Sequence, residues 1–389
     1  MLRFQRPHLP PTDEIGRYLA LSREERWFSN GGPCWRQLQR HLSDRVGAYC
    51  VPVASGTLGL MAALAAIFDR GPAERTAVLM PSFTFVATAQ AAVWAGLEPL
   101  LLDVDPDHWH LDPGALEQAL QKRSDVGAVI AVSAFGTPPP AETRRRWEHA
   151  CRESGVPLVV DSAAGFGAVA EDGTPIGAQG DVEVVSFHAT KPFAIGEGGA
   201  VFTRDKELYE RVEAAVNFGL GPDRKPTMPR GTNAKMSELH AATALAVLDS
   251  FDSILKRRRR SAMSIRRAGT GVSWQRESER STFQFLPVAL SDQVQRDELI
   301  ESCRDKIEVR VYYEPLDTSM PERWEVAVGD LSTTHDLYQR LLCLPMANDL
   351  SETEVETIAS VLSRGETLRL DRSAEPAHPR PSHPLRQGE

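Results

Sequence analysis

The sequence predicts an α/β protein: a large domain on a mostly parallel sheet covered by helices on both faces, then a smaller α+β domain. Three observations lead there. Short apolar runs alternate with segments of helical spacing from residue 49 onward. Those runs are near-continuous in Val, Leu and Ile, the pattern of strands buried on both faces. The 389 residues exceed what one hydrophobic core usually supports, so the chain divides.

Residues 1–30 read as an irregular N-terminal arm. "PCWRQLQRHLSDRVG" then places Trp35, Leu38 and Leu42 at helical spacing. Strands are expected at "TAVLMP", "EPLLLDVD", "GAVIAVSAF", "VPLVVDSA", "VEVVSFH" and "GAVFTRD". Helices fall between several of them, from Phe83 to Gly96 and at "RRRWEHACRESG". The stretch 235–267 reads as one long helix with Met236, Leu239, Ala242 and Ala246 on one face. Its basic run, Lys256 to Arg260, reads as a solvated face. The large domain spans 31–248 and the small domain 249–365, with strands near "TFQFLPVAL" and "EVRVYYEPL". The last helix begins at "SETEVETIASVL", where Ser351 and Glu354 form a capping box. Residues 366–389 hold Pro376, Pro379, Pro381 and Pro384 among charges and read as a disordered tail.

Hydrophobic residues at 42% and charged residues at 25% describe a soluble globular enzyme. A net charge of -9 weighs against nucleic acid as a partner. The five cysteines are odd in number and form no CxxC pair, which argues against a disulfide framework or a zinc site and fits a reducing cytoplasm. The N-terminus has prolines and acids where a signal peptide needs an apolar core, and no apolar run reaches bilayer length. A cytoplasmic location is expected, with no membrane and no metal.

Three places carry chemistry. In "ASGTLGLMAAL", Ser55, Gly56 and Thr57 precede an apolar helix. Free N–H groups and a positive dipole end there suit a phosphate, and a plain N-cap explains the same residues. Asp161 ends an apolar strand, where open α/β sheets place ligands, and a turn or N-cap aspartate would look alike. In "SFHATKPFAIGEGGA", Pro192 disfavours helix at Lys191, and the glycines allow a tight backbone return. Ser186 is placed to bond a phosphate, while His188 fits a structural role as well as a substrate contact. A phosphate cup, an acid at a strand end and a lysine in a glycine-bounded loop are together what pyridoxal phosphate requires.

Their order and spacing resemble the DegT/DnrJ/EryC1/StrS family of sugar aminotransferases, of fold type I. The motifs are "SGTLGLMAAL", "PSFTFVATAQAAVWAGLEPLLLDVDPDHWHLDP", "VVDSAAGFGA", "VSFHATKPFAIGEGGAVFT", "NFGL" and "GTNAKMSELHAATALAVL", extended by "VYYEPL" and "LCLPM". The resemblance implies a seven-stranded-type sheet and a homodimer whose active site is shared across the interface. It implies that Lys191 carries the cofactor covalently and moves protons, and that Asp161 pairs with the pyridinium nitrogen. Gly56, Thr57 and Ser186, with Ser55, would bind the phosphate, Phe85 would lie against the ring, and Asn233 would reach the neighbouring subunit's phosphate. Tyr313, in the "VYYEPL" piece, is a candidate substrate residue with His188.

Three departures stand out. Ala164 occupies the position where relatives commonly place Gln or His at the ring oxygen; Ser133 and Phe135 replace a frequent His and Tyr; Asp317 replaces a frequent His. The implied reaction passes an amino group from an amino acid, glutamate first, to a nucleotide-linked keto-sugar. Arg224, Lys225 and Arg230 are candidates for the diphosphate. A cyclitol or other cyclic ketone is the alternative acceptor, and a cofactor-bearing regulatory protein is the reading from another class.

Overall fold

The computed structural model describes residues 1–69, 75–269, 271–320 and 329–373. The N-terminal segment is not an irregular arm throughout: helix α1 (Thr12–Glu25) forms there, with Asp13 and Glu14 favourably placed in its first turn. Then follow α2 (Pro33–Val46), β1 (Tyr49–Val53), α3 (Gly56–Phe68), β2 (Ala77–Pro81), α4 (Ala87–Trp94), β3 (Glu98–Leu102), α5 (Pro113–Lys122), β4 (Val126–Val132), α6 (Ala141–Glu153), β5 (Leu158–Asp161), β6 (Val182–Ser186), β7 (Gly199–Thr203) and α7 (Lys206–Val216). The helix expected from Phe83 starts only at Ala87, because Ser82 to Phe85 form the turn that leaves β2.

The seven strands form one sheet in the order β1-β7-β6-β5-β4-β2-β3. All neighbours from β6 to β3 pair in parallel, and β7 runs antiparallel to both β1 and β6. The continuous apolar runs now have their cause. Val51, Val159, Val184 and Val201 face a core shared with α3, α4 and α7. Phe202 and Val185 pack on the other face with α2 and the long helix after β7, while Leu158 and Val160 pack there with α5 and α6.

The long helix, α8 (Glu238–Ala268), crosses residues 248/249 without a break. At its start, buried Glu238 accepts the N–H groups of Cys34 and Trp35 and the Ser22 hydroxyl, which ties α1 and α2 to it. Two features of its face differ from expectation. Leu239 is exposed, while Met236, Ala242 and Ala246 are buried. Within the basic run, Lys256, Arg257 and Arg260 are solvated, but Arg258 is buried.

The smaller part contains β8 (Ser273–Trp274), β9 (Leu286–Ala289), α9 (Gln293–Cys303), α10 (Leu316–Ser319), α11 (Ser332–Arg340), β10 (Leu341–Leu344) and α12 (Glu352–Ser373). Its antiparallel sheet has the order β10-β9-β8. "EVRVYYEPL" forms no strand; it contributes a single bridge, Arg310 to Cys343, beside the pairing that β10 makes with β9. The capping box forms: Glu354 N–H donates to Ser351 Oγ at 3.2 Å and Ser351 N–H to Glu354 Oε2 at 2.8 Å. Helix α12 continues to Ser373, past residue 366, and the four tail prolines lie outside the described residues. All five cysteines are free and buried. No helix among the described residues is long and apolar enough to cross a membrane.

Candidate active site

The carboxyl ends of the parallel strands and the first turn of α3 meet at a pocket of about 510 Å³. Ser55, Gly56, Thr57, Phe85, Asp161, Ala164, Ser186, His188, Lys191 and Tyr313 all line it.

Lys191 is carried on the hairpin between β6 and β7. Phe187 N–H donates to Gly198 O at 2.8 Å, Ile195 N–H to Phe187 O at 2.9 Å, and Ala189 N–H to Gly196 O at 2.8 Å. Gly196 turns the chain at φ 95°, which a side chain would strain. Lys191 N–H closes on His188 O at 2.9 Å, and the half-buried side chain donates from Nζ to Gln284 Oε1 at 3.3 Å. Burial lowers the amine from its ordinary 10.5 to about 8, with the Asp161 carboxylate opposing.

Asp161 ends β5 and is 6% exposed. Its Oδ2 accepts the Thr88 hydroxyl at 2.8 Å and its Oδ1 the Ala163 N–H at 3.1 Å. Burial pushes its pKa up, and those bonds with the Lys191 charge pull the other way. No cationic side chain is bonded to it among the described residues, so it has room for a cationic partner.

The geometry is compatible with both readings of "SGT". Ser55 Oγ caps α3 by accepting Leu58 N–H at 3.2 Å, a contact that contributes about 1 kcal/mol. The Gly56 and Thr57 N–H groups, in the first turn, have no intrahelical acceptor and remain for an anion. A Cβ on Gly56 would come 2.9 Å from Ser186 Cβ, so glycine is what lets α3 approach β6 this closely. Ser186 Oγ accepts His188 N–H at 3.2 Å and faces the same pocket. Anion donors, a desolvated carboxylate and an amine of lowered pKa therefore face one cavity, and this set fits pyridoxal phosphate.

Phe85 stands 58% exposed at the rim, unlike a core aromatic. Tyr313 is half-buried and stacks on Phe135 at 5.1 Å. His188 Nδ1 meets Thr190 Oγ1 at 2.9 Å, and its Nε2 lies 3.6 Å from Glu197. Ala164 leaves no polar side chain at its position. Ser133 lines the pocket and meets Ser162 Oγ at 2.8 Å; Ser162 in turn bonds buried Glu183. Asp317 does not line the pocket; it accepts from Ser82 Oγ at 2.6 Å and pairs with His335 at 2.8 Å.

Arg224, Lys225, Arg230 and Asn233 are exposed and lie outside the pocket lining of this chain. Asn233 bridges to Asn217, and Lys225 lies 3.6 Å from Asp223. Sequence reasoning missed Gln284, Thr88 and Gln5, which line the pocket. Gln284 had one signal, a polar residue inside the apolar run "TFQFLPVAL".

Known proteins resemble this chain over most of its length. The chain is 34% identical over 373 residues to protein Rv3402c of Mycobacterium tuberculosis, covering 93% of this chain and 90% of that one. It is 30% identical over 366 residues to a dTDP-4-amino-4,6-dideoxy-D-glucose transaminase of Shigella dysenteriae, covering 92% and 96%. The crystal structure of DesI with its TDP-sugar product superposes with a TM-score of 0.84 at 31% identity, covering 96% and 95%. The fold, with its seven-stranded mostly parallel sheet, is that of fold type I aminotransferases. Residues 12–363 match the family model for DegT/DnrJ/EryC1/StrS aminotransferases, and the chain belongs to that family as a pyridoxal-phosphate-dependent aminotransferase.

Proposed function

We propose that this enzyme moves an amino group from an amino acid, glutamate first, to a nucleotide-linked keto-sugar, giving an amino-sugar. The observation that carries the reading is the pairing of Lys191 and Asp161 in one pocket beside the first turn of α3. The sugar substrate rests on the names of the S. dysenteriae transaminase and of the DesI complex.

Bound pyridoxal phosphate supplies an aldehyde that accepts the amino group and a ring that draws electrons from the reacting carbon. Gly56, Thr57, Ser55 and Ser186 would hold its phosphate. Asp161 would keep the ring nitrogen protonated, and Phe85 would lie against the ring. Lys191 would carry the cofactor and, as a free amine, would take and return a proton at Nζ. Its lowered pKa matters here. With the amine at about 8, about one tenth is neutral at pH 7; at the ordinary 10.5 the fraction is about one in 3,000. Asn233 would reach the partner subunit's site in a homodimer, and one or more of Arg224, Lys225 and Arg230 would meet the diphosphate there.

A second reading has its own support. Lys191 and His188 are the cation-capable side chains in the described pocket lining, so this chain alone offers little to a diphosphate. A cyclic ketone without a nucleotide, such as a cyclitol, needs no such groups. The two separate in one experiment. A free nucleoside diphosphate should bind the dimer and protect it from inactivation, and Arg230→Glu should weaken that protection. No binding of any nucleoside diphosphate, with turnover of a cyclitol ketone, would overturn the nucleotide-sugar reading.

A further inference from the structure

The basic run of α8 hides one residue that reaches the active site from behind. The guanidinium of Arg258, 3% exposed, donates to Thr282 O at 3.1 Å, Gln284 O at 3.0 Å and Asn348 Oδ1 at 2.7 Å, and also to Phe283 O. Asn348 Nδ2 donates onward to Pro192 O at 3.3 Å. Gln284, also 3% exposed, accepts the Lys191 amine on Oε1 at 3.3 Å. One buried cation therefore fixes the backbone that carries the acceptor of Lys191 and, through Asn348, the residue beside Lys191.

We propose that Gln284, held in place by Arg258, is the resting site of the free Lys191 amine, and that both act as positioning residues. The inference rests on Lys191 being the lysine that carries the cofactor. The chemistry of the acceptor matters. An amide oxygen is neutral and takes one N–H, so it aims the amine while leaving the lone pair of its neutral form open. A carboxylate at the same distance would instead hold the amine as ammonium, where it cannot accept a proton. Arg258 suits its part because a planar fork satisfies several carbonyls at once, whereas lysine reaches fewer of them. Its charge is spread over four oxygen acceptors, so no carboxylate is needed beside Lys191.

The test measures the pH dependence of Lys191 acylation by acetic anhydride in the full-length, cofactor-free protein, read by peptide mass spectrometry. The wild-type midpoint should fall near 8. Gln284→Glu should raise it by about 1–3 pH units, as an opposite charge at this range does. Gln284→Met, which folds without a buried charge, should speed labelling above the midpoint about threefold or more, the amine having lost a bond of roughly 1 kcal/mol. Arg258→Lys should change the labelling profile in the wild-type background and clearly less in the Gln284→Met background, because it acts chiefly through Gln284. An unchanged midpoint in Gln284→Glu, unchanged labelling in Gln284→Met, or additive Arg258→Lys and Gln284→Met effects would overturn the proposal. Absorbance of lysine-bound cofactor checks the underlying reading separately: if it survives in Lys191→Ala, Lys191 is the wrong lysine whatever the labelling shows.

Discussion

Replacing Lys191 with methionine should make the cofactor-free protein more stable at neutral pH. Burial lowers the amine from 10.5 to about 8 in the folded chain. Each pH unit of that difference is worth about 1.4 kcal/mol, so holding an ammonium in the folded site costs about 3 kcal/mol. Pocket water around the half-buried side chain screens this to about 2 kcal/mol. Below pH 8 both folded and unfolded chains bind the proton, and the full cost is present. Between 8 and 10.5 the unfolded lysine keeps a proton that the folded one has released, so wild-type stability rises with pH. Above 10.5 neither state is charged there and the cost is gone. Methionine has no such dependence, although it leaves Gln284 Oε1 without its donor, which costs about 1 kcal/mol. Urea unfolding should therefore show the variant ahead by about 1 kcal/mol at neutral pH and behind by about as much at alkaline pH. A difference that stays constant across that range would refute the reasoning.

Gly56→Ala places a Cβ 2.9 Å from Ser186 Cβ and 3.3 Å from Ser186 Cα, pushing the first turn of α3 off β6. An overpacking cost of about 1–3 kcal/mol should weaken cofactor binding roughly 5- to 100-fold by absorbance titration. Asp161→Asn keeps the shape but removes the charge, so cofactor affinity should fall roughly 10- to 100-fold while the apoprotein unfolds at higher urea. Phe85→Ala, at a side chain 58% exposed, should leave apoprotein stability within about 0.5 kcal/mol. It should still lower cofactor affinity measurably, because the ring face loses its aromatic cover.

The large domain was legible because its physics is local. Strands buried on both faces are apolar nearly throughout, and β2 and β4 show it most plainly, with Glu183 in β6 the buried exception. The placement of Lys191 and Asp161 at one pocket was legible for a related reason: Asp161 ends β5 and Lys191 follows β6. What was not legible depended on partners distant in sequence. Arg258 looked solvated because it sits among four other basic residues, and only the carbonyls of 282–284 and Asn348 explain its burial. "EVRVYYEPL" has strand composition, yet the β9 and β10 pairing leaves it a single bridge. Helix α1 lacks a side-chain cap at Pro11, so its N-terminal signal was weak. Its packing against α8, including Tyr18 on Asp249 at 2.9 Å, appears only in the fold.

The central claim, amino transfer through Lys191 to a nucleotide-linked keto-sugar, is tested most directly by the two half-reactions observed separately. Glutamate added to the cofactor-loaded enzyme should discharge the absorbance of the lysine-bound cofactor, and a nucleotide-linked keto-sugar should restore it. Lys191→Ala should show neither the starting absorbance nor its return. An enzyme whose absorbance is discharged by amino donors yet never restored by any nucleotide-linked keto-sugar would contradict the account.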